Sequence, residues 1–173
     1  MPTRSLTAAL VLAASILGAG TVPAMSETIN AEDPERLRQL ARGFGSAELT
    51  TDSVGDPMIR ASVAGTNYLM LFYGCTDGAK CRSVQFRAGW SAPNLPPGFI
   101  NGWNRDNRFG KAYIDSDGDP VLEMDVPMAF GMTAKNFEDT IDWWRISVQG
   151  FAGSLRTANE PRSTPSGSST VPN

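Results

Sequence analysis

Three strand-like runs separated by two turn signals occupy residues 57–90 and constrain the fold more than any other feature of the chain. The runs are "PMIRASVAG", "NYLMLFYG" and "RSVQFRAGW", and the first and third alternate apolar with polar residues, as half-buried strands do. The stretches "AGTN" and "CTDGAKC" between them carry glycine and Asp-Gly turn signals. The pattern predicts an antiparallel meander.

The middle run, "NYLMLFYG", is apolar on both of its faces. Such a strand is covered twice within its own fold, or it meets another chain. Large aromatic residues commonly anchor protein interfaces. The predicted interface therefore consists of alternate residues of this run and an aromatic residue of a later helix: Tyr68, Met70, Phe72 and Trp143. A homodimer or an extended peptide would cover such a surface.

Helical patterns surround the strands. Apolar residues recur with helical spacing over residues 31–44, Pro97 can open a short helix, and "TAKNFEDTIDWWRISVQGFAGSL" carries a long apolar stripe. A second hairpin is predicted in "GKAYIDSDGDPVLEMDVPM". The resulting order, αβββαββα, predicts an α+β fold with an antiparallel sheet and helices mainly on one face.

The N-terminal stretch "MPTRSLTAALVLAASILGAGTVPAMSET" is typical of a secretory signal peptide, with a basic start, a short apolar run and small residues before a cut. We expect cleavage after Ala24, a linker over residues 25–30, one domain over residues 31–155 and a disordered tail over residues 156–173. An uncleaved membrane anchor is the alternative. No membrane span is expected after cleavage, and the mature chain is expected to be periplasmic or secreted.

Both cysteines of the chain, Cys75 and Cys81, flank the Asp-Gly turn of the meander. An exported protein meets oxidising conditions, and a loop this short lets the flanking strands bring the two side chains together. A structural zinc site requires four ligands and a redox pair is normally C-x-x-C, so a reactive or metal-binding pair is the weaker alternative. The sequence predicts a structural disulfide.

The chain contains no histidine and has a formal net charge of −3. The missing histidine excludes Ser-His-Asp, Cys-His and histidine-ligated metal mechanisms. The lysines and arginines are dispersed, without the basic patch that nucleic-acid binding requires. We therefore expect no nucleic-acid partner.

The stretch "DSDGDP" places Asp115, Asp117 and Asp119 at the alternating spacing of the first three ligands in a calcium loop. An EF-hand needs glycine at the sixth position and glutamate at the twelfth, where this chain has Pro120 and Val126. Asp-Gly is also a hairpin signal. A plain turn is the prediction, and weak calcium binding is the alternative.

A second set of polar residues could form a different kind of site. Carboxylates on one face of the second hairpin, with nearby arginines, could bind a ligand or perform acid and base chemistry. The members of this alternative polar site are Arg105, Arg108, Asp115, Glu123 and Asp125. Charged residues on the outer face of a strand are more often simply solvated, and no nucleophile motif accompanies them.

The phrase "GWNRDNRFGKAYIDSDGDPVLEMDV" and the closing "FEDTIDWWRISVQGF" resemble the YbjN family, described as bacterial sensory transduction regulators, over roughly residues 33–155. The chain looks like an exported proteobacterial member. The resemblance implies a fold similar to type III secretion chaperones, which dimerise and hold extended segments of other proteins. It supplies no catalytic residue.

Together these observations predict a non-enzymatic exported binding module with a protein or peptide partner and a chaperone-like or regulatory role. No cofactor and no metal are expected. A periplasmic ligand sensor or a carboxylate-based enzyme at the alternative polar site is the second interpretation.

Overall fold

The structure is a computed structural model that describes residues 27–92 and 95–160. These residues fold into a six-stranded antiparallel sheet with three helices. The predicted signal peptide lies outside the described residues. In chain order the elements are β1 (Thr28–Ile29), α1 (Pro34–Ala41), β2 (Ala47–Thr51), β3 (Pro57–Val63), β4 (Thr66–Tyr73), β5 (Ser83–Gly89), α2 (Phe99–Asp106), β6 (Lys111–Ile114), β7 (Pro120–Pro127), β8 (Met132–Thr133) and α3 (Ala134–Asn159).

The order of strands in the sheet is β2-β3-β4-β5-β7-β6, and every neighbouring pair is antiparallel. The predicted α+β class, the meander of β3, β4 and β5, and the hairpin of β6 and β7 are thereby confirmed. The prediction missed β2, a polar edge strand, and the two-residue strands β1 and β8, which pair with each other. Strand β1 lies within the predicted linker.

The helices begin and end for local reasons. The side chain of Asp33 caps α1 by accepting from the backbone N–H of Arg36, and Pro34 occupies the first turn. Helix α1 is shorter than predicted, because the chain turns back at Gly45, where a Cβ would clash with the carbonyl of Ser62. Helix α3 is longer than predicted and includes residues 156–159 of the predicted tail, since Leu155 still packs in the core.

One face of the sheet forms the core with the helices. Ile59, Met70, Phe86 and Met124 lie opposite one another on four neighbouring strands and are all buried. The ring of Trp144 in α3 packs on this face, with its centroid 5.6 Å from that of Phe86. Burial of these large side chains is the main stabilising contribution to the fold.

Three of the four predicted interface residues belong to this core. The exposed fractions of Tyr68, Met70 and Phe72 are 3 %, 0 % and 2 %, so they do not form an accessible surface. The other face of β4, which carries Leu69 and Leu71, is the more open one. The prediction chose the wrong face of β4, because both faces are apolar and the sequence pattern does not say which one meets the helices.

In the part of the chain that the structure describes, no helix has both the length and the apolar character needed to cross a membrane.

Candidate functional site

Exposed apolar side chains gather between α3 and the connection from α2 to β6. Phe109, Trp143 and Ile146 are 45 %, 39 % and 42 % exposed. They border a concavity of about 310 Å³, which we call the aromatic cleft. Its lining consists of Trp103, Asp106, Asn107, Arg108, Phe109, Trp143, Ile146, Ser147 and Gly150.

Helix periodicity places Trp143 at the side of α3. The buried stripe of this helix runs through Phe137, Ile141, Trp144 and Val148. Trp143 is one position away from Trp144, so it points about 100° around the helix from the core. Ile146 follows three residues later and stands on the same side. The fourth predicted interface residue, Trp143, is thus half-exposed beside the aromatic cleft.

The backbone at Phe109 is unusual. Its φ is 67°, in the left-handed region that bulky residues rarely adopt. This conformation costs about 1–2 kcal/mol relative to ordinary helical or extended backbone. The Phe109 ring lies over the Trp143 ring with 4.6 Å between centroids, and the Arg108 guanidinium lies 4.7 Å from the centre of the Phe109 ring. The chain therefore maintains a strained backbone that presents an aromatic ring at the surface.

A second surface is the sheet face opposite the helices, which we call the open sheet face. Register aligns one residue from each of the six strands in a single row across it: Glu48, Arg60, Leu69, Arg87, Glu123 and Lys111. Basic, acidic and apolar side chains thus alternate across the full width of the sheet.

Glu123 is the most buried charged residue on the open sheet face, with 7 % of its surface exposed. The Tyr113 hydroxyl donates to its Oε1 at 2.6 Å, and Lys111 and Arg87 lie at 3.3 and 3.6 Å. Burial and the hydrogen bond to Glu123 raise the pKa of Tyr113. These partners replace part of the hydration that the carboxylate loses, so Glu123 is engaged within the sheet and is not free for chemistry.

The five residues of the alternative polar site are spread over α2, β7 and the loops beside them. Glu123 and Asp125 share one face of β7, where Asp125 accepts from the Gln85 amide at 2.8 Å. Arg105 pairs with its neighbour Asp106 on α2, and Arg108 borders the aromatic cleft. Within the described residues, no hydrogen bond or ion pair joins any two of the five, and the combined site stays a prediction.

Asp115 belongs to the turn of the β6–β7 hairpin. Its Oδ1 accepts from the backbone N–H groups of Asp117 and Asp119, both at 3.0 Å. Such a carboxylate organises the turn, which is the role that the Asp-Gly signal predicts. Within residues 27–92 and 95–160, no cluster of three or more histidine, cysteine or acidic residues is arranged to hold a metal ion.

A family model described as "YbjN: Putative bacterial sensory transduction regulator" matches residues 33–156, more than two thirds of the chain. The chain belongs to the YbjN family. No match was found among curated proteins. The family description is that of a regulator, and it supports a regulatory, non-catalytic module.

The predicted disulfide between Cys75 and Cys81 forms at the end of the β4–β5 hairpin of this YbjN domain. Its sulfurs are 2.11 Å apart and Cys81 is buried. A structural disulfide fits an oxidising environment, as exported proteins experience.

Sequence reasoning missed Phe109 and Ile146 in the aromatic cleft and Arg60 and Arg87 on the open sheet face. Ile146 follows Trp143 by three residues on a predicted helix, so helical periodicity could have predicted that Ile146 lies beside Trp143. The left-handed backbone of Phe109 has no signal in "NRFG" beyond the glycine that follows it.

Proposed function

We propose that this YbjN protein is an exported regulatory binding module, not an enzyme, and that it binds a partner protein through the aromatic cleft. The observation that carries the proposal is the strained backbone of Phe109, which holds a half-exposed ring over Trp143 at the border of a concavity. Strained backbone of this kind clusters at functional sites, because stability alone does not select it.

The side chains of the aromatic cleft indicate which side chains the partner protein should carry. Trp143, Phe109 and Ile146 offer apolar area that a large aliphatic or aromatic side chain would cover. Arg108 stands at the border, and it makes no ion pair within the described residues. We therefore expect a protein segment with one large apolar anchor and an acidic residue close to it, since the acid would pair with Arg108.

Two features support a location outside the cytoplasm. The N-terminal segment has the composition of a signal peptide, and the Cys75–Cys81 disulfide fits an oxidising compartment. The proposed module acts in the periplasm or after secretion.

The test is capture of the tagged mature protein, crosslinked in its own cell envelope, followed by mass spectrometry of the proteins recovered. Trp143→Ser and Arg108→Gln should each reduce recovery of one specific partner. Ile114→Ser is the matched control, because Ile114 is 44 % exposed on β6, outside the aromatic cleft. The partner segment should then bind the purified protein with an affinity that falls at least about tenfold in Trp143→Ser.

Recovery that is equal for wild type and Trp143→Ser would refute the aromatic cleft as the binding surface. Recovery of this chain alone would mean that a second copy of the chain, and not another protein, binds the aromatic cleft. Sedimentation at several concentrations distinguishes that case.

A further inference from the structure

A concavity of about 530 Å³, larger than the aromatic cleft, lies on the open sheet face and shares no residue with that cleft. Every lining residue belongs to a sheet strand or directly precedes one, and none comes from a helix. Its lining includes Glu48, Arg60, Leu69, Arg87 and Gly89. Its volume is within the range of small-molecule sites.

Two arginines face this concavity from strands on either side of β4. Arg60 and Arg87 are the register partners of Leu69, so their backbones are about 10 Å apart with an apolar side chain between them. Arg60 forms no ion pair within residues 27–92 and 95–160. Arg87 lies 3.6 Å from Glu123, but that carboxylate is shared with Lys111 and Tyr113. Both guanidinium groups retain hydrogen-bond donors for an additional anion.

One acid completes the charge pattern. Glu48 lies opposite Arg60 in the β2–β3 register and lines the concavity at its β2 side. Its carboxylate makes no ion pair in the described ranges. The site therefore presents two positive groups, one negative group and an apolar floor at Leu69. This pattern complements a small molecule that carries both a carboxylate and an ammonium group.

Gly89 keeps the other side of the concavity open. It lies on the same face of β5 as Arg87, and a Cβ there would meet only Val121 Cγ2, at an ordinary contact distance of 3.9 Å. A larger side chain fits the backbone at this position without a clash, yet it would project into the concavity.

We propose that the open sheet face is a binding site for a small zwitterion, an amino acid or dipeptide. Its carboxylate binds Arg60 and Arg87, its ammonium binds Glu48, and its carbon skeleton lies on Leu69. Arginine suits the first role because its planar group donates two parallel hydrogen bonds to a carboxylate. A regulator with this site and the aromatic cleft would have separate surfaces for a small ligand and for a partner protein.

The experiment is calorimetric and NMR titration of the mature protein with L-leucine, N-acetyl-L-leucine, L-leucinamide and the dipeptide Gly-Leu. The acetyl derivative lacks the ammonium and the amide lacks the carboxylate. We expect leucinamide not to bind and N-acetyl-leucine to bind more weakly than the better of the two zwitterions. Comparing leucine with Gly-Leu distinguishes an amino-acid site from a dipeptide site.

Variants locate the site. Arg60→Gln should weaken zwitterion binding about tenfold or more, and Gly89→Val should weaken it by filling the concavity. Arg42→Gln is the matched control, because Arg42 is exposed at the end of α1, away from the open sheet face. Arg87→Gln could also disturb Glu123, so Arg60→Gln and Gly89→Val decide the outcome.

No binding of leucine or Gly-Leu at millimolar concentration would overturn the proposal. So would binding that Arg60→Gln and Gly89→Val leave unchanged, or equal binding of leucinamide. These results do not depend on whether a partner protein binds the aromatic cleft, because the concavity and the aromatic cleft share no residue.

Discussion

The side-chain amide of Asn104 pairs with the backbone of Ala112 as a neighbouring strand would. Asn104 Nδ2 donates to the Ala112 carbonyl at 2.9 Å, and Asn104 Oδ1 accepts from the Ala112 N–H at 2.8 Å. Ala112 is on β6, the last strand at one edge of the sheet. An edge strand with free backbone groups is a template for pairing with other chains, so α2 protects this edge by means of one side chain.

We predict that Asn104→Ala lowers the free energy of unfolding by about 1–3 kcal/mol, because a half-buried N–H and carbonyl of β6 lose their partners. Denaturant unfolding followed by circular dichroism measures the change. Asn101→Ala on the same helix is the control, since Asn101 is exposed and its side chain makes no hydrogen bond among the described residues. Equal effects of the two variants would contradict the edge-protection role.

The two faces of β4 should respond differently to the same change. Met70 is fully buried against the helices, whereas Leu71 is half-buried on the open sheet face. Met70→Ser should therefore cost about 3 kcal/mol or more, and Leu71→Ser about 1 kcal/mol or less. Thermal unfolding of the two purified variants measures this difference. A larger loss in Leu71→Ser would mean that the open sheet face is covered in solution.

Removing the disulfide should destabilise the protein without changing its fold. The bridge closes a loop of seven residues, Cys75–Cys81, so the chain-entropy model assigns it about 2 kcal/mol. Strands β4 and β5 pair independently of the loop, so the double variant Cys75→Ala/Cys81→Ala should keep the native circular dichroism spectrum. Reductant should lower the denaturation midpoint of the wild type and leave that of the double variant unchanged. A fully unfolded double variant would show that the loop does more than close the hairpin.

Tyr68 should make the protein sensitive to alkaline pH. Burial raises the pKa of its hydroxyl well above the ordinary value. The unfolded chain releases this proton near pH 10, so the folded state holds more protons above that pH and the free energy of unfolding falls as pH rises. Denaturant titrations on both sides of pH 10 measure the decline. Tyr68→Phe should reduce it.

The same tyrosine gives a test at neutral pH. The Tyr68 hydroxyl has no hydrogen-bond partner within the described structure, so Tyr68→Phe should not lower stability there. Tyr113→Phe is the contrasting variant, because its hydroxyl donates to Glu123 and its loss should destabilise the protein by about 1 kcal/mol or more. A Tyr68→Phe variant that is the less stable of the two would point to a buried water at this hydroxyl.

Local pattern was sufficient for much of the fold. Alternation and turn residues predict β3, β4 and β5 as a meander, and helical spacing predicts the stripe of α3 that packs on them. The edge strand β2 was missed because its segment, "AELTT", has little apolar character and depends on pairing with β3 for its conformation. The Asn104 pairing was missed because it joins two elements across a loop.

The sequence by itself determined strands β3 to β7, the main helices, the disulfide and the family, because these depend on residues close together in the chain or on a motif. Only the tertiary structure decided which face of β4 is buried, how Phe109 meets Trp143, and that Arg60 and Arg87 face one concavity. The physical reason is that both faces of "NYLMLFYG" are apolar, so the choice between them depends on where α3 packs, which no local pattern specifies.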